Sequence, residues 1–236
     1  MIAGRGSINL GTREIDFNLS FAERKSLSIK VMPTGEVKVI APITATHSDV
    51  IKKIKTKVAW IVRQQNFFQT FQPGTPPRKF INGETHLYLG RQYKLRIIKN
   101  AESQIRIYRG TIEVYTRDIT STAVRHQLNE WYKIRGKAVL YQLFEEALSL
   151  NPRFQSKDPR LSIKAMEKRW GSCTPNGRIT LNSKLIHASK ACISYIIIHE
   201  LCHLLHPNHT KAFYRLLSTK IPAWERTKLR LEQIMA

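Results

Sequence analysis

The segment His199-Glu200-Leu201-Cys202-His203, with His209 six residues beyond it, holds the residues of this chain whose types and spacing can do chemistry. Imidazoles four apart on a helix stack on one face, close enough to share an ion. Neutral imidazole nitrogens are zinc ligands, and a catalytic zinc site takes three protein ligands while keeping one position open for water. Glu200, beside the first histidine, is placed to accept a proton from that water and return it to a leaving amine. The spacing predicts a zinc-dependent hydrolase, most often one cutting peptide bonds, with ligands His199, His203 and His209 and general base Glu200. A zinc site that only holds a fold together would fill the fourth position with another Cys or His.

The third ligand is the least determined. Pro207 interrupts the helix, and the turn after it can swing His209 back toward the ion, with Asn208 or Thr210 capping the next helix. His206 shares enough of the helical face to compete, and a distant acid such as Glu225 is another alternative. Cys202 is turned partly aside by its place next to His203 and reads as a buried helical cysteine.

These residues need elements to hold them. The ligand helix is expected from about Lys190 to His206, with the apolar run Ile193 to Ile198 burying one side. Short strands at 161–165 and 178–182 flank Pro175-Asn176-Gly177, a turn whose glycine can take positive φ. The strand around Ile179 to Leu181 is either an ordinary packed strand or lies beside the ligand helix with an open edge. A peptide could add there and set its carbonyl over the metal. Arg169 is a candidate for stabilising an oxyanion or meeting a substrate carboxylate, against the alternative of a solvated charge. Trp170 reads as packing, and Cys173 as packing or else as binding the ion or regulating it by oxidation. Asn182 reads as fixing the loop into the helix rather than touching substrate, and Tyr195 as lying behind the ligands rather than donating to an oxyanion.

Further upstream, helical spacing from about Thr120 to Leu150 carries Trp131, Tyr132, Val139, Leu140, Leu143 and Phe144, and Asn151-Pro152 closes it. Residues 5 to 43 alternate as strands, with a hairpin of Leu27 to Val31 and Val37 to Ile40 about Pro33-Thr34-Gly35. From Ser48 to Phe68 the apolar stripe Val50, Ile54, Val58, Ile61 predicts a helix. Its lysines 52, 53, 55 and 57 form either a solvated face, the simpler reading, or a surface for a phosphate backbone. Pro73 to Pro77 reads as a linker. Four more strands are expected at 86–89, 93–98, 104–108 and 111–115, and no internal repeat is visible in the sequence.

With 236 residues and 42% hydrophobic content the chain can bury a real core. No signal peptide or membrane-length apolar run is present, and three cysteines without framework spacing fit a reducing cytoplasm. A formal charge of +22 reads first as general basicity for solubility and also admits DNA, RNA, an acidic protein or a membrane surface, although no nucleic-acid recognition module can be placed in the sequence.

Lys168-Arg169-Trp170-Gly171-Ser172-Cys173, Gly177 to Asn182, and His199 to Leu204 followed by Asn208-His209-Thr210 and Phe213-Tyr214 resemble the YgjP-like metallopeptidase family. Ser26 to Ile29, Ala41-Pro42, Trp60-Ile61, Gly83-Glu84 and Tyr88-Leu89-Gly90 extend the likeness over most of the chain. It is more distantly similar to SprT-like and WLM proteases. The resemblance implies the same three ligands and the same base. Ala188-Ser189 stands where Ala-Pro is common, and Ser194 where Asp is common, which bears on a helix cap or a contact behind the ligands.

The expectation is therefore an α+β fold, with a β-rich module at 1–119 containing one inserted helix. A zincin-like catalytic module follows at 120–236, with a short sheet beside the metal helix. The alternatives are a nucleic-acid-associated protease and a non-catalytic, metal-stabilised nucleic-acid-binding protein.

Overall fold

Alternation of apolar and polar residues builds the first sheet. In β4 (Val37–Pro42), Val37, Val39 and Ala41 point inward while Lys38 and Ile40 are exposed. The computed structural model describes residues 3–10, 13–32, 34–69, 78–167 and 169–235. β1 (Ala3–Leu10), β2 (Arg13–Ala22), β3 (Ser28–Val31) and β4 form a sheet in the order β1-β2-β4-β3. Its β3–β4 hairpin, expected from the sequence, turns through Gly35 at φ 86°; Pro33 lies outside the described residues. α1 (His47–Gln69) buries Val50, Ile54 and Ile61 in the same core as Phe17, Leu19, Val37 and Val39. Lys52, Lys53, Lys55 and Lys57 are exposed, a solvated face over a packed stripe. The linker expected at Pro73 to Pro77 lies outside the described residues.

A second sheet contains β5 (Thr85–Tyr88), β6 (Arg91–Lys99), β7 (Gln104–Tyr108) and β8 (Thr111–Thr116), in the order β5-β6-β8-β7. It repeats the topology of the first. In each, two antiparallel hairpins join through a parallel pair, β2–β4 or β6–β8, and a long helix follows. The repeat is one of strand order, which many sequences satisfy, so residue similarity between the two halves does not reveal it.

The chain divides into two compact units, Met1–Pro76 and Pro77–Met235. The boundary expected between 119 and 120 falls inside the second unit. The reason is α2 (Ser121–Ser149). Its first half buries Val124, Leu128 and Tyr132 with Leu95, Ile112 and Val114 of the second sheet. Its second half buries Leu140, Leu143, Phe144 and Leu148 in the core that holds the ligand helix. The N–H groups of Leu89 and Gly90 donate to the carbonyls of Ile186 and His187, at 2.9 and 3.1 Å.

After α3 (Pro152–Gln155), β9 (Arg160–Lys164), β10 (Gly171–Cys173) and β11 (Arg178–Asn182) make a three-stranded sheet in the order β10-β11-β9. A 3-10 turn, Ser183–His187, leads to α4 (Lys190–Cys202), then α5 (Lys211–Lys220) and α6 (Trp224–Met235). α4 is buried on nearly every side rather than one: Cys192, Ile193, Tyr195, Ile196, Ile197, Ile198, Leu201 and Cys202 are all enclosed. An all-round apolar helix belongs at the centre of a domain. Three helices and the short sheet cover it, giving an α+β fold.

Candidate metal centre

Ser189 starts the ligand helix, its hydroxyl accepting from the Cys192 N–H. Gly90 fits against this cap, where a Cβ would lie 2.7 Å from Ser189 Cβ. The departure from Ala-Pro is thus a working N-cap. At the other end the helix stops at Cys202, four residues short of the expected His206, and His203 is its C-cap. Pro207 disfavours helical geometry at His206, and the freed His206 carbonyl turns back to within 3.2 Å of His203 Nδ1. A carbonyl only accepts, so Nδ1 carries the hydrogen and Nε2 keeps its lone pair.

Thr210 caps α5 by accepting from the Phe213 N–H, and the Thr210 N–H donates to the Asn208 carbonyl at 2.8 Å. This turn brings His209 back over α4. One ring nitrogen from each of His199, His203 and His209 lies within 4.8 Å of the others, and His209 Nε2 is 3.0 Å from His199 Nε2. His206 and Glu225 are outside this convergence. Zinc–nitrogen bonds near 2.0–2.1 Å in tetrahedral array separate ligand nitrogens by roughly 3.3 Å, so the donor set fits that ion. His199 Nδ1 is buried with no partner among the described residues. Its ring is oriented by packing, edge-on to Tyr195 and Phe213. Burial, then the neighbouring His203, His209 and Lys228, push its pKa down to about 4, which keeps its lone pair free at neutral pH. Burial, then His203 and Lys228, lower His209 as well.

Glu200 is 5% exposed, and burial raises its carboxyl to about 7 against the opposing pull of Arg169. A carboxylate so poised can take and release a proton near neutrality. It has room because Gly171 lies against it: a Cβ there would fall 2.5 Å from Glu200 Oε1. Gly171 begins β10, an element too short and polar for periodicity to reveal. Its signal in the sequence is its place in the Lys168 to Cys173 run that carries the family resemblance.

The cleft is lined by Gly171, Cys173, Thr174 and Pro175 on one wall and by the three histidines, Glu200, Leu204 and Pro207 on the other. Of the two readings of β11, the structure has the packed one: the strand is central and paired on both sides. The edge strand beside Glu200 is β10. Asn182, fully buried, donates to the Met166 and Arg169 carbonyls at 2.7 and 2.9 Å and caps the 3-10 turn, which is its expected loop-fixing role. Arg169 is exposed and Trp170 packs on the main core. Cys173 is half-buried on the cleft wall, its thiol pushed up to about 11 by burial and then by Glu200. Cys202 is fully buried, as expected, and pushed up to about 12. Tyr195 is buried behind His199 and stacks on Trp224.

Three converging imidazoles beside the buried carboxyl of Glu200 define a metal-site class suited to hydrolysis. The chain belongs to the YgjP-like metallopeptidase family, whose domain model matches residues 25–234, and by that membership it is a metal-dependent hydrolase. Among solved structures it is similar to the metallopeptidase zymogen of Pyrococcus abyssi abylysin, at 26% identity over 41% of this chain and 91% of that one. The TM-score of 0.35 is too low for structural argument. No curated protein matches.

Proposed function

We propose that this chain is a zinc-dependent peptidase in which His199, His203 and His209 hold the ion and Glu200 is the general base. The observation that carries the reading is the approach of the three imidazole nitrogens within 4.8 Å of one another, beside a carboxyl held near 7. Zinc in this site would supply Lewis acidity to a water and to a substrate carbonyl. Glu200 takes the proton from the attacking water at its carboxylate and delivers it to the leaving amine. β10 offers its unpaired edge to an extended peptide, which hydrogen bonds to the strand would hold in register with Glu200. Arg169, exposed near that carboxylate, is positioned for a substrate oxygen.

Elemental analysis compares wild type with the His199→Ala/His203→Ala variant, and equal zinc content in both sinks the ligand assignment. The base is tested separately: proteome-wide cleavage should vanish in folded, zinc-loaded Glu200→Gln, and retained cleavage removes Glu200 from that role.

Association with DNA or RNA is supported only by the +22 charge, and adding DNA to the same cleavage comparison tests it. Cytoplasmic residence is supported by three free cysteines. Among the described residues, no helix is long and apolar enough to cross a membrane.

A further inference from the structure

Thr174 lines two cavities. One is the metal cleft. The other, which shares Thr174 with it, is a recess of about 550 Å³ bounded by Lys157, Asp158, Arg160, Thr174, Asn176 and Arg178. The turn ties them together: the Thr174 N–H donates to the Arg178 carbonyl at 3.0 Å, and the Arg178 N–H donates to Thr174 Oγ1 at 3.2 Å.

The charge of this recess is unbalanced. Three cations face it with one carboxylate, and Arg160 and Arg178 are direct register partners on the parallel strands β9 and β11. Like charges side by side on a sheet repel unless an anion lies between them. Asp158 does little to relieve this. It lies 3.9 Å from Arg160, with the two side chains 90% and 84% exposed, and such solvated pairs are weak. Guanidinium groups are donors matched to carboxylate geometry. Thr174 directly follows β10, which begins at Gly171 where Glu200 sits, and the strand itself advances about 3.3 Å per residue.

We propose that this recess is an anion subsite of the cleft, binding an acidic side chain of the substrate about three residues from the scissile bond. Arg160 and Arg178 are its specificity residues. The proposal rests on the peptidase reading, because it places a peptide along β10.

Binding to the full-length, zinc-loaded Glu200→Gln protein tests it without requiring turnover. The probes are fluorescent octapeptides in matched pairs, Glu against Gln at each position in turn. Glu at one position should tighten binding about fivefold in low salt. That gain should disappear in the Arg160→Gln/Arg178→Gln form, while the Gln peptide binds both proteins equally and the thermal transition is unchanged. Equal affinity for every Glu and Gln pair overturns the subsite, as does a Glu preference that survives both substitutions. So does arginine-dependent binding of single-stranded DNA in preference to acidic peptides. Hydrolysis by wild type is read separately. Arginine-dependent peptide binding without any cleavage would refute the peptidase reading and leave the anion site standing.

Discussion

Replacing Gly171 by alanine places a methyl group where the Glu200 side chain sits. The added Cβ would lie 2.5 Å from Glu200 Oε1, 2.7 Å from its Cγ and 2.9 Å from its Cδ. Because three consecutive atoms are too close, rotating the carboxylate alone does not relieve the overlap. Glu200 is on a helix enclosed on nearly every side, so the helix backbone has little freedom to yield. The overpacking should cost about 1–3 kcal/mol of stability, and displacing the carboxylate by roughly 1 Å should lower kcat/KM about 100-fold. Zinc content should be unchanged, since none of the converging histidines is among the atoms Cβ approaches. The decisive assay is a double-mutant cycle in urea with Glu200→Ala, which removes all three crowded atoms. Gly171→Ala should then be close to neutral, giving a coupling of about 1–3 kcal/mol. The same penalty in both backgrounds would refute the steric account of Gly171.

Other substitutions test separate parts of the site and its support. His209→Ala should abolish stoichiometric zinc binding, whereas His206→Ala should retain it, because His206 acts through its backbone carbonyl; equilibrium dialysis separates the two. Asn182→Ala should lose about 2 kcal/mol or more, since it strips buried partners from the Met166 and Arg169 carbonyls; denaturant midpoints measure this. Glu113, enclosed on β8, accepts from Arg106 Nε at 2.6 Å and from Tyr115 and Arg96, and the Arg106 hydrogen bond leads in holding its carboxyl below the usual range. A lowered pKa contributes stability above the ordinary carboxylate value, and that contribution is lost as pH falls through the folded value. Thermal melts from neutral into acid should therefore show a smaller fall for Glu113→Gln than for wild type.

Local chemistry made much of this protein legible. The apolar stripe of α1, the alternation of β4 and the Gly35 turn are patterns a few residues long, and each became the element its pattern specifies. Thr210 and Ser189 became N-caps for the same reason, a hydroxyl facing free N–H groups one turn away. The end of α4 was less legible because His206 has helical company on one side and Pro207 on the other, and the proline prevailed. β10 was missed since Gly-Ser-Cys is extended only through its pairing with β11.

The sequence by itself determined which groups can do the chemistry. Two histidines one turn apart, a carboxylate between them and a proline before His209 are facts of spacing, and helical geometry carries them directly into space. Only the tertiary structure decided how those groups are used. Burial sets the Glu200 carboxyl near 7 and keeps His199 neutral. Gly171 gains its importance from a helix nearly thirty residues away in the chain. β11 is packed rather than open-edged because β10 and β9 pair on its two sides, and no local pattern records which side of a strand its neighbour will take. Such properties depend on which distant surfaces exclude water from one another, and that is settled by the whole core at once.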